Sequence, residues 1–166
     1  LTVAALVSSA GHAGGLVGRS VGPISNARAT GNVSSSSGSV NVGGLVGQAE
    51  GSVSFTDVSA TGAVSVAGGS GNTGGLVGYA NNVSIVRGNA SGNIGVTGGD
   101  AGGLVGEAVG TASITDSAAS GRVSAGANTG YVGGLAGYFS MSGGMARVAA
   151  SGIVEGGQYT GGLVGY

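Results

Sequence analysis

The string Gly-Gly-Leu-Val-Gly opens at Gly14, Gly43, Gly74, Gly102 and Gly161, and a copy with Ala136 in place of valine opens at Gly133. Successive copies lie 29, 31, 28, 31 and 28 residues apart. Repetition at a period of about 20–50 residues marks a solenoid or array, whose units bury an apolar face only by stacking on their neighbours. A second anchor, Ala-Thr/Ser-Gly, recurs inside each unit and ends at Gly31, Gly62, Gly92, Gly121 and Gly152. Two residues after it stand Val33, Val64, Ile94, Val123 and Val154; seven before it stand Ile24, Phe55, Ile85, Ile114 and Met145. Apolar positions that alternate with Ser, Thr, Asn, Asp and Arg fit strands with one face in and one face out.

A unit of about 29 residues thus offers about three short strands. One contains Gly-Gly-Leu-Val-Gly, the next ends near the large apolar residue, and the third runs through Ala-Thr/Ser-Gly and the valine beyond. The expected fold is all-β, a parallel β-solenoid (β-helix) forming a single repeat domain over residues 1–166. Its units are 14–42, 43–73, 74–101, 102–132 and 133–160, with partial units at 1–13 and 161–166. At a coil spacing of about 4.8 Å this is a rod roughly 25–30 Å long.

The leucines Leu16, Leu45, Leu76, Leu104, Leu135 and Leu163 are the expected spine of the core, with Ile24, Phe55, Ile85, Ile114 and Met145 beside them. The glycines are expected to permit positive φ at corners and to let opposite walls approach next to the leucine. Leucine and valine are adjacent, so a regular strand turns them to opposite sides. That places Val17, Val46, Val77, Val105 and Val164 in an outer stripe, covered by a corner loop or by another rod.

Composition narrows the function. Glycine supplies 41 residues and charged residues only 7%, a bias that reads as low complexity unless a period organises it. All five basic residues are arginine and they form no patch, which argues against nucleic acid as a partner. No run of 18 apolar residues is present, so membrane insertion as a helix is not expected. His12 is the one histidine and cysteine is absent, so no zinc site can form. No catalytic residue, metal or cofactor is expected. The chain starts at Leu1 without methionine or signal sequence, and reads as a processed product or an excerpt.

Gly-Gly-Leu-Val-Gly at about 30-residue spacing, followed by Ala-Thr/Ser-Gly-x-Val, resembles the GLUG repeat over essentially the whole chain. That repeat occurs in large secreted and surface-anchored bacterial proteins, immunoglobulin-A-cleaving metalloproteases and haemagglutinin-like adhesins among them. The resemblance implies an extracellular or cell-surface repeat region and brings no catalytic residues. No His-Glu-x-x-His is present to match the proteases' zinc chemistry.

Two surface features stand out. Five residues before each Ala-Thr/Ser-Gly glycine stand Asn26, Asp57, Arg87, Asp116 and Arg147. Stacked coils make this column an inter-coil ladder of alternating charge. Asp57 and Asp116 are also weighed as a glycosidase carboxylate pair, and the arginine between them argues against that role by keeping both ionised. The second feature is aromatic. Tyr79, Tyr131, Tyr138, Tyr159 and Tyr166 flank the Gly-Gly-Leu-Val-Gly copies and form a candidate partner surface. Glycans, a host-cell or matrix surface, or copies of the chain itself are the expected partners. The reading is a structural or adhesive stalk, with a self-assembling fibre subunit and a polysaccharide-acting enzyme as alternatives.

Overall fold

Parallel pairing sets every residue above its counterpart one repeat away, so side chains stack in columns. The computed structural model describes residues 1–36, 40–69, 71–111 and 113–166. It is all-β and helix-free, a parallel β-solenoid of about five turns with about 30 residues per turn. Three sheets run its length. A long wall contains Ile24–Ala29, Val46–Ala60, Val77–Ala90 and Val105–Gly110; a serine wall contains Val33–Ser35, Val64–Val66, Ile94–Val96 and Val123–Ala125. A glycine wall contains Val42–Gly43, Thr73–Gly74, Gly99–Gly102 and Thr129–Gly133. The N-terminal residues join the stack ahead of the first motif copy: Val3 pairs with Ala29 and Val7 with Val33.

The pairing aligns Ile24, Phe55, Ile85, Ile114 and Met145 in one column. Phe55, Ile85, Ile114, Leu45, Leu76, Leu104 and Leu135 are fully buried. Ile24, Leu16 and Met145 are half-buried in the outer coils, and Leu163 is 40% exposed. The core is double. These residues fill one cluster behind the long wall, while Val33, Val64, Ile94 and Val123 meet Val42, Ala101 and Val132 in a second, between the serine and glycine walls.

Both sequence motifs mark corners, where the sequence reading placed strands. At Gly-Gly-Leu the chain bends from the glycine wall into the long wall. The Leu76 carbonyl accepts from Leu45 N–H at 2.9 Å and Val46 N–H at 3.0 Å, and Leu104 O accepts likewise from Leu76 and Val77. Two donors on one carbonyl turn the backbone, so both side chains point inward. Val46, Val77 and Val105 therefore lie buried beside the leucines, not in the expected outer stripe.

The glycines work by close approach. A Cβ on Gly44 would stand 2.8 Å from that of Ala60, and one on Gly75 2.9 Å from that of Ala90. The second glycine of one motif thus makes room for the alanine of the other. A Cβ on Gly74 would meet Gly106 N at 2.8 Å, so the glycine wall packs backbone to backbone against the long wall of the next coil. None of these motif glycines has positive φ. That conformation falls instead on glycines outside the motifs, such as Gly51 and Gly110 in the long wall, and on Asn26, Asp57, Arg87, Asp116 and Arg147, at φ 52–56°.

Candidate functional site

Two polar seams run up the stack. The first is the left-handed column just named. In a regular strand Arg87, two residues after the buried Ile85, would face the core. The left-handed residue breaks the alternation, so Arg87 is exposed while Gly88 and its counterpart Val58 face inward. Left-handed backbone costs a non-glycine residue roughly 1–2 kcal/mol and suits Asn and Asp best. The seam's side chains pair from coil to coil. Arg87 donates from Nε to Asp57 Oδ1 at 2.6 Å and from Nη2 to Oδ2 at 2.8 Å. Arg147 grips Asp116 in the same bidentate way. These guanidinium hydrogen bonds hold both carboxyls below the ordinary carboxylate range. Each is thus the ionised half of an ion pair.

The second seam lies at the Gly-Gly-Leu corner, where the residue two before the motif meets the one just after it. Asn41 Nδ2 donates to Gln48 Oε1 at 3.0 Å, and Asn72 Nδ2 to Glu107 Oε2 at 2.5 Å. At the next level up, the Tyr131 and Tyr138 rings stand 5.5 Å apart. Five of the six paired positions along the seam carry related chemistry, His12 with Arg19, Asn41 with Gln48, Asp100 with Glu107, Tyr131 with Tyr138 and Tyr159 with Tyr166, whereas Asn72 stands with Tyr79. Several members also support the coil above. His12 Nδ1 accepts from Asn41 N–H, Asn41 Oδ1 from Asn72 N–H, and Asp100 Oδ1 from Tyr131 N–H, at 3.0–3.1 Å.

Tyr131, Tyr138, Tyr159 and Tyr166 form one cluster. The Tyr131 ring lies 4.9 Å from that of Tyr166 and 5.3 Å from that of Tyr159, and Tyr138 stacks on Tyr166 at 5.4 Å and 10°. Tyr131 meets its neighbours at a tilt of 33–44°, and Tyr131 and Tyr138 are half-buried in the cluster while Tyr159 and Tyr166 stay exposed. Tyr79 is not part of the cluster; it sits half-buried in register between Gln48 and Glu107.

The two seams treat their acids differently. Besides the two bidentate pairs, Arg19 pairs with Glu50 at 2.6 Å and Arg122 with Glu155. Among the described residues no arginine pairs with Asp100 or Glu107. Burial pushes the Asp100 carboxyl above its ordinary value, and the Tyr131 N–H partly offsets this. Burial likewise raises Glu107, opposed by the Asn72 hydrogen bond and reinforced by the charge of Asp100.

Sequence reasoning missed the Arg19–Glu50 and Arg122–Glu155 pairs because their members do not share a column. It also missed a second use of asparagine: Asn32 Oδ1 accepts from Ala63 N–H and Asn93 Oδ1 from Arg122 N–H. Asparagine in the position after the Ala-Thr/Ser-Gly glycine was the available signal. The described residues contain no pocket and no group of three metal-ligating side chains. None of their elements is a helix able to cross a membrane.

Compared with curated proteins and with solved structures, the chain matches none. The family model for the GLUG motif matches residues 97–124. That segment runs from one serine wall to the next, through Gly102–Gly106 and Ala119-Ser120-Gly121. Like residues recur in the same places in the neighbouring coils, which supports a GLUG-motif repeat region.

Proposed function

We propose that this repeat region is a structural spacer and display segment of an exported bacterial surface protein. The observation that carries the reading is where the polar groups go. Arginines and acids pair between coils, asparagines support the backbone of the coil above, and the described residues enclose no pocket. Side chains spent on coil-to-coil cohesion make a rod, and the outer faces of the rod are what another molecule can meet. The GLUG motif, which occurs in secreted or surface bacterial proteins, supports an exported setting. A polysaccharide-acting site at Asp57 and Asp116 is disfavoured, because each carboxylate is bound by an arginine and neither can donate a proton.

Two measurements test this. Antibody against the repeat should label intact source cells as strongly as permeabilised ones, and labelling only after permeabilisation rejects export. Electron microscopy of the purified chain at neutral pH should show dispersed short rods. Long uniform filaments would replace the spacer reading with that of a self-assembling fibre subunit.

A further inference from the structure

We propose that the Gly-Gly-Leu corner seam, from Asn72 and Tyr79 through Asp100 and Glu107 to Tyr131 and Tyr138, is a docking track for an extended, amine-bearing polysaccharide. The proposal deepens the display reading and rests on it, by naming the face displayed and the chemistry it takes.

With no pocket among the described residues, a ligand has to lie along the surface. The seam is straight and parallel to the axis, because register aligns Gln48, Tyr79, Glu107 and Tyr138. Its groups therefore repeat at the coil spacing of about 4.8 Å. One pyranose unit of an extended β-linked chain advances by close to the same distance, so successive rings meet successive coils.

The chemistry fits the same partner. The seam offers amides, phenol hydroxyls and carboxylates side by side, the mixture that hydrogen-bonds sugar hydroxyls. Tyr131 and Tyr138 are half-buried against Tyr159 and Tyr166, so they meet a sugar as a fixed, partly exposed surface. Charge sets the class of sugar. Asp100 and Glu107 are half-buried, hydrogen-bonded by Tyr131 N–H and Asn72, and without an arginine partner among the described residues, whereas Glu50, Asp57, Asp116 and Glu155 are each paired with an arginine. The track is thus negative at its centre, which attracts an ammonium-bearing ring and repels a uronate.

The test is calorimetric titration of the purified chain with three oligosaccharides at neutral pH: β-linked glucosamine, β-linked glucose and galacturonate oligomers. Glucosamine oligomers should bind at least tenfold more tightly than glucose oligomers, with galacturonate unbound and affinity rising with length up to the number of coils spanned. Glu107→Gln should reduce glucosamine binding about tenfold, and Tyr138→Ala should weaken both β-linked chains. Glu155→Gln, which removes an equal charge on another face, should leave binding unchanged. Absence of glucosamine binding overturns the proposal. So does an equal loss in Glu107→Gln and Glu155→Gln, which reveals a nonspecific polycation effect. Surface labelling and rod shape are separate measurements, so this track can fail while the display reading stands.

Discussion

The left-handed seam and the corner seam run up the same stack, yet they are built on opposite foundations. At the first, the backbone adopts a costly conformation at Asn26, Asp57, Arg87, Asp116 and Arg147, and side chains repay part of that cost by pairing. At the second, the backbone is unstrained at the motif, but two walls touch with no room for a Cβ, and the polar side chains sit over that contact. The first seam holds its acids ionised; the second raises the carboxyls of Asp100 and Glu107. Both seams are tied by side-chain contacts, but the half-buried carboxyls of the second have no arginine partner among the described residues.

The largest break in this comparison comes from the glycines beneath the corner seam. Alanine at Gly74 places a methyl 2.8 Å from Gly106 N and Leu104 O, both backbone atoms that cannot swing aside. Gly74→Ala is expected to cost on the order of 4 kcal/mol or more, and denaturant unfolding followed by circular dichroism measures it. Gly95 is the matched control. A Cβ there meets nothing within 4 Å, and its column neighbours are Ser65 and Ser124. Gly95→Ser should change stability by less than about 0.5 kcal/mol. Equal losses at the two positions would mean that close approach is not why the motif is glycine-rich.

How much of this was legible in the sequence depends on what each column reports. Stacking and period could be read because like residues recur at fixed offsets, as in the columns of Ile85 and Leu76. The corner at Gly-Gly-Leu-Val-Gly could not, since adjacent Leu76 and Val77 suggest opposite faces, and only the shared Leu104 carbonyl reveals the bend. The left-handed column was hidden differently. Arg87 and Asp57 carry a charge pattern that reads as a ladder, and only their offset of two residues from Ile85 and Phe55 signals the break in alternation. Tyr131 and Tyr159 are adjacent by register, but nothing in their spacing shows that the rings meet at 5.3 Å.

A smaller effect sharpens the left-handed seam. Arg87→Asp puts three acids in succession, Asp57, the new carboxylate and Asp116, and removes a bidentate pair. The thermal midpoint should fall by a few degrees at low salt, and by less at high salt, where exposed charges are screened. Arg87→Gly and Arg87→Ala separate charge from backbone. Both lose the pair, but glycine accepts φ 54° without strain and alanine does not, so the alanine variant should melt lower. Equal midpoints for the two would show that the left-handed backbone is not what the column has to accommodate.

The smallest effect distinguishes the seams by sign. Asp57, Asp116 and Glu50 have folded-state carboxyls below their ordinary values, so the stability they contribute is present above about pH 4–5 and is lost as pH falls through the folded range. Asp100 and Glu107 lie above ordinary values of 3.8 and 4.5, so the folded chain holds their protons more tightly than the unfolded chain does. Their favourable contribution is complete below those values and is lost as pH rises through the raised folded range. Glu107→Gln keeps the Asn72 partner's geometry but deletes the titration, and should raise the midpoint by a degree or two at pH 7 and by nothing at pH 4. Asp57→Asn should lower the midpoint at pH 7, with the deficit shrinking as pH falls through the depressed range of the wild-type carboxyl. Thermal melts of both variants across that interval therefore give differences of opposite sign at neutral pH. If Glu107→Gln also lowers the midpoint at pH 7, its carboxylate is stabilised by something in the fold, and the corner seam is a structural seam like its neighbour.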